Sequence, residues 1–580
     1  MSSALLESRP SLLPVRPVEK LSELFFERFF YNDLISSEDD PQLAAANTMA
    51  ILAFPGMLCL YFIPKYYVEL ARATPQRIEL SVLGDRFLWL AFEMAVLGLL
   101  ATLQWDRLFP DRRDYAVLGP QPVTTRVLFE AQARALGRFL GFFLLIVNAG
   151  CALFFPIGAV PWKAGMGEGL MFAVGHWIGM AAAGLFVVLT VTALQGLLAN
   201  ALRPRALERA SPLVQFGLSA FFVTTIILLP LLWARLSAGY ETVGELVQLN
   251  PLTYWLPPLW FAGLAEWLAG RGGETFSPLA ATALLGLAGA AAAATGGYLL
   301  SYRRFLTRSL ESARSSFGDG LGARHFVRVL TRQLWPENPS ERAVYLFTLR
   351  TLARSPKHRV YLGAFLAAGT AIAFARLWGV DSFAALDPRV LAQPYVVLFM
   401  LLAGLRAVFA LPAELPANWI FRFHGGAAAA RYALGYRRAI WTAGAVPLIV
   451  LTTATVAQLW GGSAGGVHLL LWGVVCWISI EAALIGFHKI PFTCNYLPGR
   501  AHVIGLWTFY AIAMLAYSST LAEVEIWTLA DLLRPAFLAL AALLGWVLWR
   551  RFRCLLERSR TEVVFFESDD PVVQRLGLEP

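Results

Sequence analysis

Residues 105–138 read WDRLFPDRRDYAVLGPQPVTTRVLFEAQARALGR, a charged, proline-broken stretch between two long apolar runs. Between those runs lie five Arg (Arg107, Arg112, Arg113, Arg126, Arg134), four acidic residues (Asp106, Asp111, Asp114, Glu130) and three Pro. A charge at the bilayer centre costs about 2.5–3.5 kcal/mol on insertion scales. The stretch therefore belongs in water, on the cytosolic face, while its neighbours cross the membrane.

Working outward, the 580-residue chain is 57% hydrophobic and only 15% charged, with a mean hydropathy of +0.58. Crossing about 30 Å of hydrocarbon takes a helix of about 20 residues. The sequence offers about twelve such runs, at 46–66, 87–105, 136–160, 169–199, 212–234 and 277–302, then at 360–380, 388–412, 439–458, 468–488, 503–520 and 532–549. The expected fold is an all-α polytopic membrane protein.

The runs fall into two sets of six, joined by the basic segment 303–359, which predicts two parallel pseudo-repeats facing one another. Each set opens on an amphipathic stretch, LSELFFERFFYNDL (21–34) and ERAVYLFTLRTLAR (341–354), read as an interfacial helix. Each set also has a polar inner loop after its second run, and within these ARALGR (133–138) resembles ARYALGYR (430–437). The predicted layout is an N-terminal segment 1–45 with its interfacial helix, a first half 46–302, a linker 303–359 with the second interfacial helix, a second half 360–550 and a tail 551–580. The first half adds QLNPLTYWLPPLWFAGLAEWLAG, where Pro251, Pro257 and Pro258 precede a short apolar segment containing Trp260. Too short to cross, this region (248–270) is expected to be re-entrant or to lie in the outer interface.

With the N-terminus inside, the inner segments hold 32 Lys and Arg and the outer segments 6, so both termini are expected in the cytosol. The weakest outer segment is 67–86, with Arg72, Arg77 and Arg86. The net charge of +9 is thus a topology signal, and Arg residues spread over separate inner loops argue against a nucleic-acid partner.

Signs of catalysis are missing. None of the five Lys follows a Gly, which excludes a GxxxxGK[ST] phosphate loop, and there is no HExxH. His176, His424, His468 and His488 read as isolated packed imidazoles. The five Cys show no CxxC spacing, so neither a disulfide framework nor a metal site is expected. Three ionisable residues, Glu93, Arg406 and Glu481, fall well inside apolar runs, where such groups face a partner or a wet cavity. Arg406 and Glu481 lie near inner ends of their runs at similar depth and are expected to pair; Glu93, read as near the outer end of its run, needs another partner.

DRRDYAVLGPQPVTTRVLFEAQ resembles the inner loop of ABC-2-type permeases, the membrane domains of ABC exporters, and NPLTYWLPPLWFAGL resembles the outer re-entrant segment before their sixth span. The second inner loop, LPAELPANWIFRFHGGAAAARYALGYRR, lacks the Pro-Val element. The resemblance implies two fused six-span halves without enzymatic activity, moving a hydrophobic or amphipathic substrate outward across a bacterial cytoplasmic (inner) membrane. It implies a coupling helix carried by Pro120, Pro122, Val123, Thr124, Thr125 and Arg126, seated on a separate nucleotide-binding ATPase subunit present in two copies. ATP and Mg would sit on that partner, with no cofactor in this chain, and membrane lipids would surround it. The alternative is a twelve-helix, ion-coupled secondary transporter of major-facilitator-like plan.

Overall fold

The computed structural model describes residues 17–30, 55–70, 72–105, 124–160, 165–311, 338–378, 387–413, 429–487, 489–493, 503–531 and 534–559, with single positions 53, 336, 380 and 421. Among them all regular structure is helical, without a strand. Helix starts follow local chemistry. Thr74–Pro75, Asn338–Pro339 and Asp387–Pro388 each place a side-chain acceptor just ahead of a proline; the acceptor satisfies a free N–H and the proline presets the first helical φ.

The first half begins with α1 (Pro17–Phe30), then a broken helical segment over 55–69 that passes through 3₁₀ and π turns. It continues through α2 (Pro75–Leu103), α3 (Thr125–Ala159), α4 (Met166–Ala201), α5 (Pro204–Ser237), the short α6 (Val243–Leu249), α7 (Pro257–Leu268) and α8 (Gly273–Glu311). The second half comprises α9 (Pro339–Arg354), α10 (Pro356–Leu377), α11 (Pro388–Phe409), α12 (Ala429–Ile440), a π turn leading into α13 (Val446–Trp460), α14 (Gly462–Ala483), α15 (Val503–Leu529) and α16 (Arg534–Ser559).

Nine helices among the described residues are long and apolar enough to cross a membrane. Of the other expected spans, 46–66 falls partly outside the described residues, and 503–520 and 532–549 fall in α15 and α16, which are 27 and 26 residues long. Large apolar side chains such as Leu145, Leu153, Ile157, Phe221, Leu285, Leu300, Val450, Leu451, Leu470 and Phe509 lie on the outer surface. An apolar exterior this extensive is stable only against lipid, so the molecule is an all-α, multi-pass membrane protein.

Helix ends differ from the sequence reading in one systematic way. The second run was expected to start at 87, but α2 starts at Pro75 and carries Asp85 and Arg86 inside it. The fifth run of the second half was expected to end at 520, but α15 runs to Leu529 and carries Glu525 inside it. In both places charged residues ended the expected span, and in both a buried side chain from another helix meets the charged group. Glu93 moves accordingly: it lies 18 residues after Pro75 and 10 before Leu103, past the helix midpoint rather than near an outer end.

Two apolar cores form, one from residues between Cys59 and Ala283, the other from residues between Val344 and Phe492. In the first, α2 packs against α4, α5 and α7; in the second, α11 packs against α14 and α15. The cores meet along α5 and α10, where the Phe216 ring occupies the space beside Gly363.

The amphipathic helices repeat a common arrangement. Leu21 and Phe25 of α1 cover Leu128 and Ala131 near the start of α3, and Phe26 meets Phe142 edge-on at 6.4 Å. Val344 and Tyr345 of α9 lie against Gly435 of α12, and Arg438 pairs with Glu341 at 2.7 Å. Gly435 is required there, because a Cβ would fall 2.5 Å from the Glu341 carbonyl oxygen. The similar sequences 133–138 and 430–437 thus both lie in the helix against which an amphipathic helix rests.

Candidate functional site

Each half encloses a buried polar centre. In the first, Arg86 of α2 is fully buried and forms an ion pair with Glu266 of α7, which Arg271 also approaches at 3.3 Å. The guanidinium of Arg86 lies 4.5 Å from the Phe172 ring centroid and 5.6 Å from that of Phe155. The Phe155 ring in turn meets the His176 imidazole of α4 at 4.7 Å, and His176 Nε2 lies 3.7 Å from the Cys151 thiol. Beside this centre, Lys65 pairs with Asp85 at 2.6 Å and the Tyr66 hydroxyl donates to the same carboxylate.

In the second half, three helices bring Tyr395 (α11), His468 (α14) and Glu525 (α15) together, all fully buried. The Tyr395 hydroxyl donates to Glu525 Oε2 at 2.6 Å, and His468 Nδ1 lies on Glu525 Oε1. Trp472 stacks on both rings, 4.9 Å from Tyr395 and 5.3 Å from His468.

The centres have matching positions along the chain. Arg86 lies 11 residues after Pro75 and Tyr395 lies 7 after Pro388; His176 lies 10 after Met166 and His468 lies 6 after Gly462. Both offsets differ by four residues, about one helical turn. In each half the acidic partner comes from beyond the fifth expected run, Glu266 from α7 and Glu525 from the end of α15.

Of the residues singled out in the sequence, Pro120, Pro122 and Val123 lie outside the described residues. Thr124 caps α3, its side chain accepting from the Val127 N–H, while Thr125 and Arg126 open the helix. Pro251 starts a 3₁₀ turn, Pro257 and Pro258 start α7, and the Trp260 indole donates to the Tyr254 carbonyl at 3.0 Å. Between Leu259 and Glu266 every residue of α7 except Trp260 is buried or nearly so, against α2, α4 and α8; the segment is packed within the bundle, while Trp255 and Trp267 remain exposed.

Glu93 accepts from the Asn148 side-chain amide at 2.7 Å, a partner on α3 that the sequence reading did not name. Asn148→Leu should therefore lower stability by about 1–3 kcal/mol, because a fully buried carboxyl loses its donor, whereas Asn148→Gln should retain part of it. Thermal unfolding of the purified chain measures the difference. Glu481 also has an unanticipated partner, Arg437 of α12, with Nε at 3.2 Å from Oε1. Arg406, expected on Glu481, places its guanidinium 4.8 Å from the Phe487 ring centroid and reaches the Ile485 carbonyl at 3.5 Å.

Sequence reading missed Arg86, Glu266, Tyr395 and Glu525, and it treated His468 as isolated. A signal was present: neither 75–103 nor 503–529 contains a proline after its first residue, so nothing local ends either helix at the charges. The partners themselves, 180 residues apart for Arg86 and Glu266 and 57 for His468 and Glu525, have no local signature.

Fold and centres together define a polytopic membrane protein whose bundles are pinned by buried polar contacts. No family model, curated protein or solved structure matches the chain.

Proposed function

We propose that this chain is a membrane permease of ABC-2 type with two like six-span halves, both termini in the cytosol of a bacterium, exporting a hydrophobic or amphipathic substrate with power from a separate ATPase. The observation that carries this reading is the helix laid across the base of the third span in both halves, α1 on α3 and α9 on α12. Such a pair forms a rigid foot, on which a partner's closure is delivered as rigid-body motion of the spans. The matching four-residue offsets of Arg86/Tyr395 and His176/His468 support the duplication. Arg126, exposed in the first turn of α3, sits at the foot where the partner would press.

Co-purification with an ATPase subunit bearing a phosphate loop, and stimulation of its ATPase in vesicles, tests the reading. Arg126→Glu should abolish stimulation while the chain still elutes as a folded species. Proton-driven uptake by the purified chain alone, without any ATPase, would overturn it in favour of an ion-coupled secondary transporter. One observation favours that second reading: the buried Tyr395–Glu525–His468 centre joins three helices through ionisable side chains.

A further inference from the structure

We propose that His468 and Glu525 form a proton-binding site in the second half, occupying the place that a permanent ion pair occupies in the first. The inference holds whichever energy source drives the chain. In the first half the Glu266 carboxylate is balanced by Arg86, with Arg271 beside it, and a guanidinium does not give up its proton. In the second half the equivalent position on the second-span helix holds Tyr395, a neutral donor, and the cation must come from elsewhere.

The groups facing the centre do not supply one. On α11, Arg389 pairs with Asp387 at 3.3 Å at the exposed helix start. From α10, Arg376 donates to Ser518 at 3.0 Å and Ser519 at 3.4 Å. From α16, Arg534 lies over the Trp527 ring, donates to its carbonyl and approaches Asp531 at 3.7 Å. Beyond His468, α14 contributes Cys476 and, near its other end, Glu481 on Arg437; α15 contributes Tyr517, bonded to Ser479, and the exposed Glu523; α13 has no ionisable side chain. Among the described residues, the counter-charge within bonding distance of Glu525 is therefore the one a proton creates on His468.

An unpaired buried carboxylate is costly, so Glu525 favours a proton on His468, which supplies the missing counter-charge. His468 Nε2 is buried without a hydrogen-bond partner among the described residues, leaving one ring nitrogen free to receive the proton. In the loaded state a proton from solution makes the ring imidazolium, whose Nδ1–H donates to Oε1 while Tyr395 donates to Oε2. In the released state that proton leaves Nε2 for solution, so the neutral imidazole still donates through Nδ1 but the Glu525 carboxylate keeps its charge without a cation, and the tie between α14 and α15 is weakened. His468 lies six residues into α14, about 9 Å from its start, so the path to water is short.

Trp472 is a reporter already in contact with the ring, since an imidazolium stacked on an indole quenches its emission. Emission of the full-length purified chain is measured from about pH 5 to pH 8, the range in which imidazoles titrate. The difference between wild type and Trp472→Phe isolates this indole, and the expected result is a single-step loss of that difference emission on acidification. Trp472→Phe keeps all three polar groups, so the measurement does not depend on a variant that removes them. His468→Gln should abolish the step, and a flat wild-type difference, or a step that persists in His468→Gln, would overturn the proposal.

Discussion

Glu266→Ala is expected to destabilise the protein by about 3–5 kcal/mol, more than Arg86→Ala, although the two residues form one ion pair. Truncating Glu266 leaves the buried Arg86 guanidinium without a hydrogen-bonded carboxylate among the described residues, against the Phe155 and Phe172 rings and beside the Arg271 cation. Truncating Arg86 instead leaves Glu266 with Arg271, which is 39% exposed and 3.3 Å away. The remaining charge is therefore partly compensated in one variant and stranded in the other. Replacing both residues should cost less than the sum of the single changes, because no charge is left alone. Thermal unfolding of the four proteins in detergent reads all three comparisons, and equal losses in the two single variants would count against the asymmetry.

Gly150→Ala should be nearly as damaging, for a steric reason. A Cβ on Gly150 would lie 2.6 Å from both Cα and the carbonyl carbon of Gly56, and a Cβ on Gly56 would lie 2.8 Å from Gly150 Cα. These neighbours are backbone, so the clash has no rotamer to relieve it and the segment 55–69 must move off α3. Overpacking a tight interior usually costs about 1–3 kcal/mol. The displacement should also uncover Cys59, 1% exposed and a free thiol. Maleimide labelling of Cys59 should rise in Gly150→Ala and stay low in Gly137→Ala, because nothing lies within 4 Å of a Cβ at Gly137. Small residues at such crossings let membrane helices approach closely, which explains a Gly in each segment.

Much of the architecture was legible because a bilayer imposes length and hydropathy on each crossing segment separately. Apolar runs at 169–199 and 388–412 match α4 and α11 closely, since each is bounded by caps, prolines or glycines that act locally, whereas α5 starts at Pro204, eight residues before the run at 212–234. The helical character of 21–30 and 341–354 was legible for the same reason, and the short segment after Pro257 was recognisable from its prolines and length. Helix ends at charges were not. Arg86 weighed against the inside-positive pattern when it was counted as a loop residue; it is in fact buried within α2 on Glu266, and its charge reports a partner rather than a side of the membrane.

The polar centres depended on contacts that no local pattern encodes. Sequence alone determined that the chain crosses a membrane many times as helices and which segments are apolar enough to do so. Hydrophobic transfer acts on each segment independently of its neighbours, so composition and period suffice for those statements. Only the tertiary structure decided that Glu266 meets Arg86, that Glu525 meets His468 and Tyr395, and that Glu481 meets Arg437. Which buried charge is neutralised by which partner depends on helix rotation and depth, and these are set by packing between segments far apart in the chain.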